Sequence, residues 1–360
     1  MTTFSRYVLR VFFVQFLLLM LSFTALLQVF DLLSNSIDVL KRSDGSYSGL
    51  VLYTLFRLPE IASFLTPFVV LMATLMTLGK LERDNEILAF KASGAPYNSV
   101  LLSFLPAVIL VGIGHFLLAD QVVPRAINAM VARDIYVDRA QSDENSSVFI
   151  QDGKSVIEVG AVDKFGAHLK NVHIYTRGED GLLTTMRTAT EAHYHTKGHH
   201  WILLGVWTTT IVPDHASQAE YTPQGDWVTA LTPAEFSNLI ELPQAMTLAK
   251  IWSFARSADV GVRPTYFYEA WLHKRVALPI SSILMILLAA PVAHSVYRRD
   301  RGVAAGMAVG FGLGFLYFVA DGLVMSLGET GAVPPVVAAW MPILVFASVG
   351  GAWLIRLEGY

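Results

Sequence analysis

The sequence contains no cysteine and carries few charged residues. The absence of cysteine among 360 residues excludes disulfide bonds, thiolate nucleophiles and cysteine-ligated zinc. Asp, Glu, Lys and Arg supply 15% of the chain, whereas 54% is hydrophobic and the mean hydropathy is +0.49. Because soluble domains carry about a quarter charged residues, this composition indicates a membrane protein. The formal net charge of −3 argues against nucleic acid as a partner.

The sequence also lacks the short motifs of common enzyme classes. No phosphate-binding loop of the form GxxxxGK followed by Ser or Thr occurs, so if ATP drives this protein, another subunit must bind the nucleotide. No GxSxG or HExxH motif marks a nucleophile or a metallohydrolase helix. We therefore predict neither an enzyme nor a bound cofactor.

Six stretches lack Asp, Glu, Lys and Arg over a length that can cross a bilayer. A helix needs about 20 such residues to cross about 30 Å of hydrocarbon. The first stretch follows Arg6 and Arg10, but its apolar run is too long for a signal peptide and no small-residue cleavage site follows. The fourth is short, and Trp271, Leu272 and His294 can extend it. The predicted spans are Val11–Phe30, Ile61–Gly79, Ser99–Ala119, Val276–Val292, Gly302–Ala320 and Ala332–Ile355.

The distribution of basic residues predicts the orientation of these spans. An even number of spans places both termini on one side of the membrane. The turn Arg298-Arg299-Asp300-Arg301 is strongly basic, whereas the turn Gly328–Gly331 on the opposite side has no Lys or Arg. Since basic loops stay inside, we predict that both termini are cytoplasmic. Several basic residues then lie near the membrane on the outer side: Lys41, Arg42, Arg57, Arg125, Lys274 and Arg275.

The segment between the third and fourth spans is typical of a β domain. Runs rich in Val, Ile, Thr, Tyr and Trp alternate with turn pairs such as Asp152-Gly153 and Lys197-Gly198, which predicts a β-sandwich or jelly roll. We expect residues 1–124 to hold transmembrane helices 1–3, residues 125–265 the β-jellyroll-like domain with flanking helical segments, and residues 266–360 helices 4–6. The predicted strands are Ser147–Gln151, Ser155–Val159, His168–Tyr175, Leu182–His195 and Trp201–Ile211.

The loop between the second and third spans has an amphipathic pattern. Over about residues 80–96, charged residues including Glu82, Arg83 and Glu86 are mixed with Ile87 and Phe90 before a Gly and Pro stop. One interpretation is a solvated turn or a helix at the lipid surface. The other is a coupling helix that sits in a partner's groove and offers carboxylates to that partner's arginines.

Several short elements occur together in the order of a known family. Glu86 followed by Ala92-Ser93-Gly94 is similar to a coupling element of the LptF/LptG (YjgP/YjgQ) permeases, and the three-helix, β-domain, three-helix layout also matches. The Gly-Ser-Tyr and Pro-Pro elements favour LptG over LptF. The other matching elements are Phe30-Asp31, Gly45-Ser46-Tyr47, Pro59, Pro67, Pro279, Phe315 through Asp321, and Val333-Pro334-Pro335.

This resemblance implies a permease subunit for lipopolysaccharide export in the bacterial inner membrane. In that family LptG pairs with LptF, an LptB dimer hydrolyses ATP, LptC adds one helix, and a periplasmic bridge runs through LptC to LptA. Glu86 would then be the carboxylate that faces the LptB-like ATPase, with Glu82 and Arg83 beside it. The alternative is a scaffold that passes ATPase movement to periplasmic machinery without transporting lipid. A hydrophobic interior of the β domain would favour transport, and a sealed core would favour the scaffold.

The resemblance offers a chemical explanation for the basic residues near the outer side of the membrane. Arg and Lys bind phosphate by charge-assisted hydrogen bonds, and lipid A carries phosphates, so we predict lipopolysaccharide-phosphate contacts at Lys41, Arg42, Arg57, Lys274 and Arg275. The alternative is snorkelling to headgroups, or pairing with Asp31, Asp38, Asp44 or Glu60. In one departure from the family, Gln28, Ser34 and Asn35 stand where better-known members carry lysines.

Intramembrane polar and small residues supply further candidates. Asp321 near the outer end of the fifth span, like Asp31 after the first, is a functional candidate by default, and pairing of Asp321 with Arg57 or Arg275 is equally plausible. A stripe of glycines four residues apart favours close helix packing, with a flexing gate helix as the alternative. The stripe is Gly306, Gly310 and Gly314.

Four histidines near the end of one predicted strand raise the question of a metal. His193 and His195 share one strand face, and the turn at Lys197-Gly198 could bring His199 and His200 near them. The sequence places no carboxylate convincingly beside them. We therefore predict no metal site.

Overall fold

The chain divides into two compact units. The helical unit comprises residues 1–135, 247–251 and 266–360, and the β unit comprises residues 136–246 and 252–265. In a computed structural model of the chain, the described residues are 3–43, 45–92, 94, 100, 102–133, 135–136, 148–163, 166–178, 181–195, 200–211, 218–229, 231–233, 236, 242–256, 264–297 and 302–358.

Among the described residues, six helical segments are long and apolar enough to cross a membrane, as predicted. The third is described from Leu105 and joins two helices through a π-helical turn at Leu118–Val122. The helices are α1 Thr3–Arg42, α2 Tyr47–Arg83, α3 Glu86–Ala92, α4 Leu105–Leu117, α5 Val123–Ala132, α6 Leu248–Arg256, α7 Thr265–Tyr297, α8 Gly302–Glu329 and α9 Pro335–Glu358.

The first two helices are longer than a bilayer requires. α1 has 40 residues and α2 has 37, so at 1.5 Å per residue each is about 55–60 Å long against about 30 Å of hydrocarbon. A tight turn joins them, in which the Gly45 amide donates to the Leu40 carbonyl at 2.8 Å. Gly45 has a φ of 76°, which only glycine adopts without strain. The two helices therefore form a hairpin that extends past the hydrocarbon.

Helix α2 supplies the centre of the helical core. Leu71, Leu75 and Leu78 are fully or almost fully buried, and they belong to one apolar cluster with Val292 of α7 and Tyr317 of α8. By contrast, α1 leaves leucines exposed along much of its length, including Leu21 at 71%. Helices α2 and α7 are thus mostly buried, whereas α1 is peripheral and its apolar surface is available to lipid or to another chain.

The β unit contains one antiparallel sheet of six described strands. Each strand pairs with the next along the chain, so the sheet order is β1-β2-β3-β4-β5-β6. The first five agree with the predicted strands. The strands are β1 Val148–Asp152, β2 Ser155–Val162, β3 His168–Arg177, β4 Leu183–His195, β5 His200–Thr210 and β6 Gln218–Trp227.

The sixth strand was missed by the sequence analysis because its residues are mostly polar and exposed. β6 includes Pro223 and Gly225, which weaken a strand pattern and are tolerated at a sheet edge. One face of the sheet is packed in an apolar cluster around Trp201, which is fully buried. The Trp201 ring packs edge-on against Phe236 at 5.0 Å, and its Nε1 donates to the Leu231 carbonyl at 2.9 Å. The described part of this core is closely packed.

Candidate functional site

The predicted coupling helix consists of two elements. Helix α2 ends at Arg83, the chain turns at Asp84 and Asn85, and α3 begins at Glu86. Asn85 has a φ of 56°, a conformation that breaks helix continuity. Glu82 and Arg83 therefore lie on the last turn of α2, and Glu86 opens a separate helix. Ser93 and residues 95 and 96, which complete the predicted segment, lie outside the described residues.

Side chains of α1 hold α3 in place. The Tyr7 hydroxyl donates to Glu86 Oε1 at 2.8 Å. The Phe4 ring stacks on Phe90, with ring centroids 4.3 Å apart and planes 11° from parallel. Ile87 is buried, while Leu88 is 66% exposed. Glu86 and Phe90 of α3 thus contact the first turns of α1, and α3 directly follows α2 in the chain.

A polar network joins α1 to α2 at the end of the predicted first span. The Tyr53 hydroxyl donates to Asp31 Oδ2 at 2.7 Å, and Asn35 Nδ2 donates to Asp31 Oδ1 at 3.2 Å. Arg57 lies between two carboxylates, with its Nε 3.4 Å from Asp31 Oδ1 and its Nη1 bonded to Glu60. The Asp31 and Arg57 side chains are only 14% and 21% exposed. Arg57 is therefore occupied by structural pairing in this arrangement.

The outer charges of α7 have different partners from those considered on sequence grounds. Asp321 of α8 pairs with Lys274 and not with Arg57 or Arg275. The neighbouring Arg275 is buried and donates to the Ala119 carbonyl in the π-helical turn. Successive residues on a helix point about 100° apart. Lys274 therefore reaches α8, whereas Arg275 reaches the π-helical turn of the third span. The expected pairing of Asp321 with Arg57 or Arg275 was wrong.

Lys41 and Arg42 occupy the last turn of α1, where both are exposed. Nearer the middle of the hairpin, a shallow and open apolar groove of about 360 Å³ lies between α1 and α2. It is lined by residues such as Val29 and Leu33 of α1 and Val51 of α2. The hairpin therefore combines an apolar groove with an exposed basic end.

The glycine stripe of α8 faces α2. Gly306, Gly310 and Gly314 are buried. A Cβ added at Gly310 would lie 2.1 Å from Leu75 Cδ1, and one at Gly314 would lie 2.7 Å from Phe68 Cδ2. At Gly310 and Gly314 the two helices therefore approach so closely that an added Cβ would require side chains of α2 to shift.

Three polar contacts in the structure were missed by the sequence analysis. Asp120 Oδ1 accepts a hydrogen bond from the Leu248 amide at 2.5 Å, which joins the third span to α6. His115 Nδ1 lies 3.2 Å from the Ser282 hydroxyl in the buried interior. In the β unit, Glu191 is the carboxylate that the sequence did not place beside the histidines, since its Oε2 lies 3.4 Å from His193 Nε2. Sequence spacing gave no signal for the first two pairs, because their partners are distant in the chain.

These features define a class of protein. Six membrane-length helices, charged pairs between helices and a sheet inserted after the third span describe a multi-pass α-helical membrane protein with an inserted β domain.

A model of the family "Lipopolysaccharide export system permease LptF/LptG" matches residues 6–356, so the chain belongs to the LptF/LptG family. It is similar to the lipopolysaccharide export system permease protein LptG of Escherichia coli (strain K12), with 23% identity over 349 residues that cover 92% of this chain and 94% of that protein. The LptG protein of Escherichia coli O6:H1 (strain CFT073) matches to the same extent. The predicted family is confirmed, the particular likeness to LptG is weak, and the chain is a multi-pass protein of the inner membrane.

Proposed function

We propose that this chain is a permease subunit of an ATP-driven transporter that extracts lipopolysaccharide from the inner membrane and passes it to a periplasmic bridge. The observation that carries the proposal is the family match over residues 6–356, which includes both the helical unit and the β unit. In the proposed orientation, both termini are cytoplasmic and the β unit is periplasmic, as the basic turn Arg298-Arg299-Asp300-Arg301 favours.

The α1–α2 hairpin is the proposed place of lipid capture. Its groove is apolar and suits acyl chains, while Lys41 and Arg42 at the exposed end suit phosphate groups. We also propose phosphate contacts at Arg57, Lys274 and Arg275. Since Arg57 and Lys274 are ion-paired and Arg275 is buried, these three can bind lipid only if their present contacts are exchanged.

Energy is proposed to come from an LptB-like ATPase dimer that contacts α3. The chain has no phosphate-binding loop of its own. The bond from Tyr7 to Glu86, together with the Phe4–Phe90 stack, connects α3 to α1. A movement of the ATPase against α3 would therefore shift both sides of the lipid groove.

The remaining partners follow from the family. An LptF-like homologous permease would complete the cavity, and the exposed apolar surface of α1, with Leu17 62% and Leu33 73% exposed, is available for it or for lipid. An LptC-like single-span protein and an LptA-like bridge protein would receive the lipid.

Lipid capture is tested with a double variant at the end of α1. Each basic residue near anionic lipid contributes about 1 kcal/mol, so Lys41→Ala with Arg42→Ala should lower lipopolysaccharide co-purification about 30-fold at limiting lipid. The matched control exchanges the same residues, Lys41→Arg with Arg42→Lys, and should retain capture. Equal lipopolysaccharide in the alanine variant and the wild type, at matched expression, would disprove the phosphate role.

Coupling is tested at α3. Glu86→Lys should release the ATPase subunit or abolish export while the protein still inserts, because a stranded charge at such an interface costs about 2–5 kcal/mol. The matched control, Glu86→Asp, keeps a carboxylate at the same position and should retain assembly and export. Normal assembly and export in Glu86→Lys would show that this segment is a surface turn.

The scaffold alternative is favoured by one observation, the closely packed core around Trp201 in the β unit. A photo-crosslinking amino acid at Val162 or Tyr194, which pack at the edge of that core, distinguishes the two functions. Capture of lipopolysaccharide there supports transport through the β unit, and its absence during active export supports the scaffold for this part of the chain.

A further inference from the structure

Three side chains with metal-binding groups converge on neighbouring strands of the β unit. His168 of β3 lies directly opposite His193 of β4 in the sheet register, and Glu191 lies two residues before His193 on the same strand. One ring nitrogen of each histidine and one Glu191 oxygen all lie within 4.8 Å of one another. We call these three residues the His–Glu–His cluster.

The spacing of the ligand atoms matches a tetrahedral metal. His168 Nε2 and His193 Nε2 each lie 3.4 Å from Glu191 Oε2. Zinc binds histidine nitrogen at about 2.0–2.1 Å and carboxylate oxygen at about 2.0–2.2 Å, so two ligand atoms of one tetrahedral ion are about 3.3–3.5 Å apart. Two of the three edges of such a site are therefore in place. The third, between the two histidine nitrogens, is within 4.8 Å, and the two parallel rings must tilt toward each other to direct both nitrogens at one ion.

The electrostatics of the cluster also favour a cation. The two imidazole rings are stacked, with centroids 4.2 Å apart and planes 13° from parallel, and the Glu191 carboxylate beside them supplies a negative charge that attracts a cation.

One ligand atom lacks a good partner. Among the described residues, His168 Nε2 is shielded from solvent and makes no hydrogen bond of normal geometry. Buried polar atoms in native proteins are nearly always satisfied, and an ion is one of the groups that satisfies them. The side chains themselves are 33–46% exposed, so an ion can reach the cluster from solvent.

We propose that His168, Glu191 and His193 bind one zinc-class divalent cation through two imidazole nitrogens and one carboxylate oxygen. Imidazole and carboxylate ligands suit zinc, and three protein ligands leave a fourth position for water or for an oxygen ligand from outside the chain. The ion links β3 to β4 at a point where the backbone pairing already holds both strands. This site is independent of the proposed lipid transport.

The test uses Co²⁺, whose visible spectrum reports tetrahedral coordination, and the full-length chain in detergent after treatment with a chelator. The wild type should bind one Co²⁺ with tetrahedral absorption bands, and Zn²⁺ should displace it. Glu191→Gln and His168→Asn should each weaken binding on the order of 100-fold, because each removes a ligand. Both variants are measured so that misfolding of one of them does not decide the result.

Two control variants carry the same chemical change nearby. His173→Asn alters a histidine of β3 whose Nδ1 lies 3.2 Å from the Thr188 hydroxyl, outside the cluster. His195→Asn alters the neighbouring pair, in which the His195 and His200 rings lie 5.6 Å apart. Both should bind Co²⁺ like the wild type. The proposal is overturned if the wild type binds no Co²⁺, if Glu191→Gln and His168→Asn bind it unchanged, or if His195→Asn alone loses it.

Discussion

The close approach of α8 to α2 predicts different effects on stability for two nearby glycine substitutions. Gly314 faces the Phe68 ring, whereas a Cβ at Gly312 would meet nothing within 4 Å. Both residues lie in the middle of the same helix, so replacement by alanine gives each the same gain in helix propensity, about 1 kcal/mol. The difference between Gly314→Ala and Gly312→Ala therefore isolates the packing at the α2–α8 contact.

The size of the steric effect follows from the neighbours of Gly314. An added Cβ would lie 2.7 Å from Phe68 Cδ2 and 3.2 Å from Leu71 Cδ2. Ordinary contact between carbon atoms begins at about 3.4 Å, so the ring or the helix must move by about 0.7 Å. The ring cannot easily turn away, because Phe23 and Phe311 pack edge-on against it at 5.3 and 5.4 Å. Overpacking of this kind costs about 1–3 kcal/mol.

We expect Gly312→Ala to be neutral or more stable than the wild type, and Gly314→Ala to be about 1–3 kcal/mol less stable than Gly312→Ala. The measurement is the free energy of unfolding in mixed detergent micelles, taken for the wild type and both variants under identical conditions. If the two variants are equally stable, α8 does not pack on α2 through Gly314, and the stripe is better explained as a flexible segment of a gate helix.

Three further outcomes are expected. In a double-mutant cycle, Lys274→Ala and Asp321→Ala should show a coupling free energy of about 0.5–3 kcal/mol, because either single change strands a partly buried charge; additive effects on unfolding would contradict the pair. Trp201→Ala should destabilise the β unit by about 3–5 kcal/mol, because it leaves a cavity and an unpaired Leu231 carbonyl. The exposed Trp207, replaced by alanine, should cost much less when both variants are compared by thermal unfolding. The purified chain alone should hydrolyse no ATP above background in a phosphate-release assay, and robust activity would refute the need for a separate ATPase.

Local chemistry made the helical layout predictable. A charged side chain within hydrocarbon is costly, so a long stretch without Asp, Glu, Lys or Arg marks a span wherever its partners lie. The first five strands were predictable for a similar reason. Their signals, β-branched and aromatic residues between turn pairs such as Asp152-Gly153, depend only on residues that are close in the sequence. β6 escaped this reasoning because an exposed edge strand needs no apolar pattern.

The partners of the polar residues were decided by the tertiary structure. The sequence indicated that Asp321 needs a cation, but only the rotation of α7 decides that Lys274 and not Arg275 faces it. In the same way, spacing within β4 brings Glu191 and His193 together, but only the register of β3 against β4 adds His168. Composition along the chain determines which segments enter a membrane or a sheet, because burial is a property of each segment. Ion pairs and ligand clusters depend on angles and registers between segments, which packing alone sets.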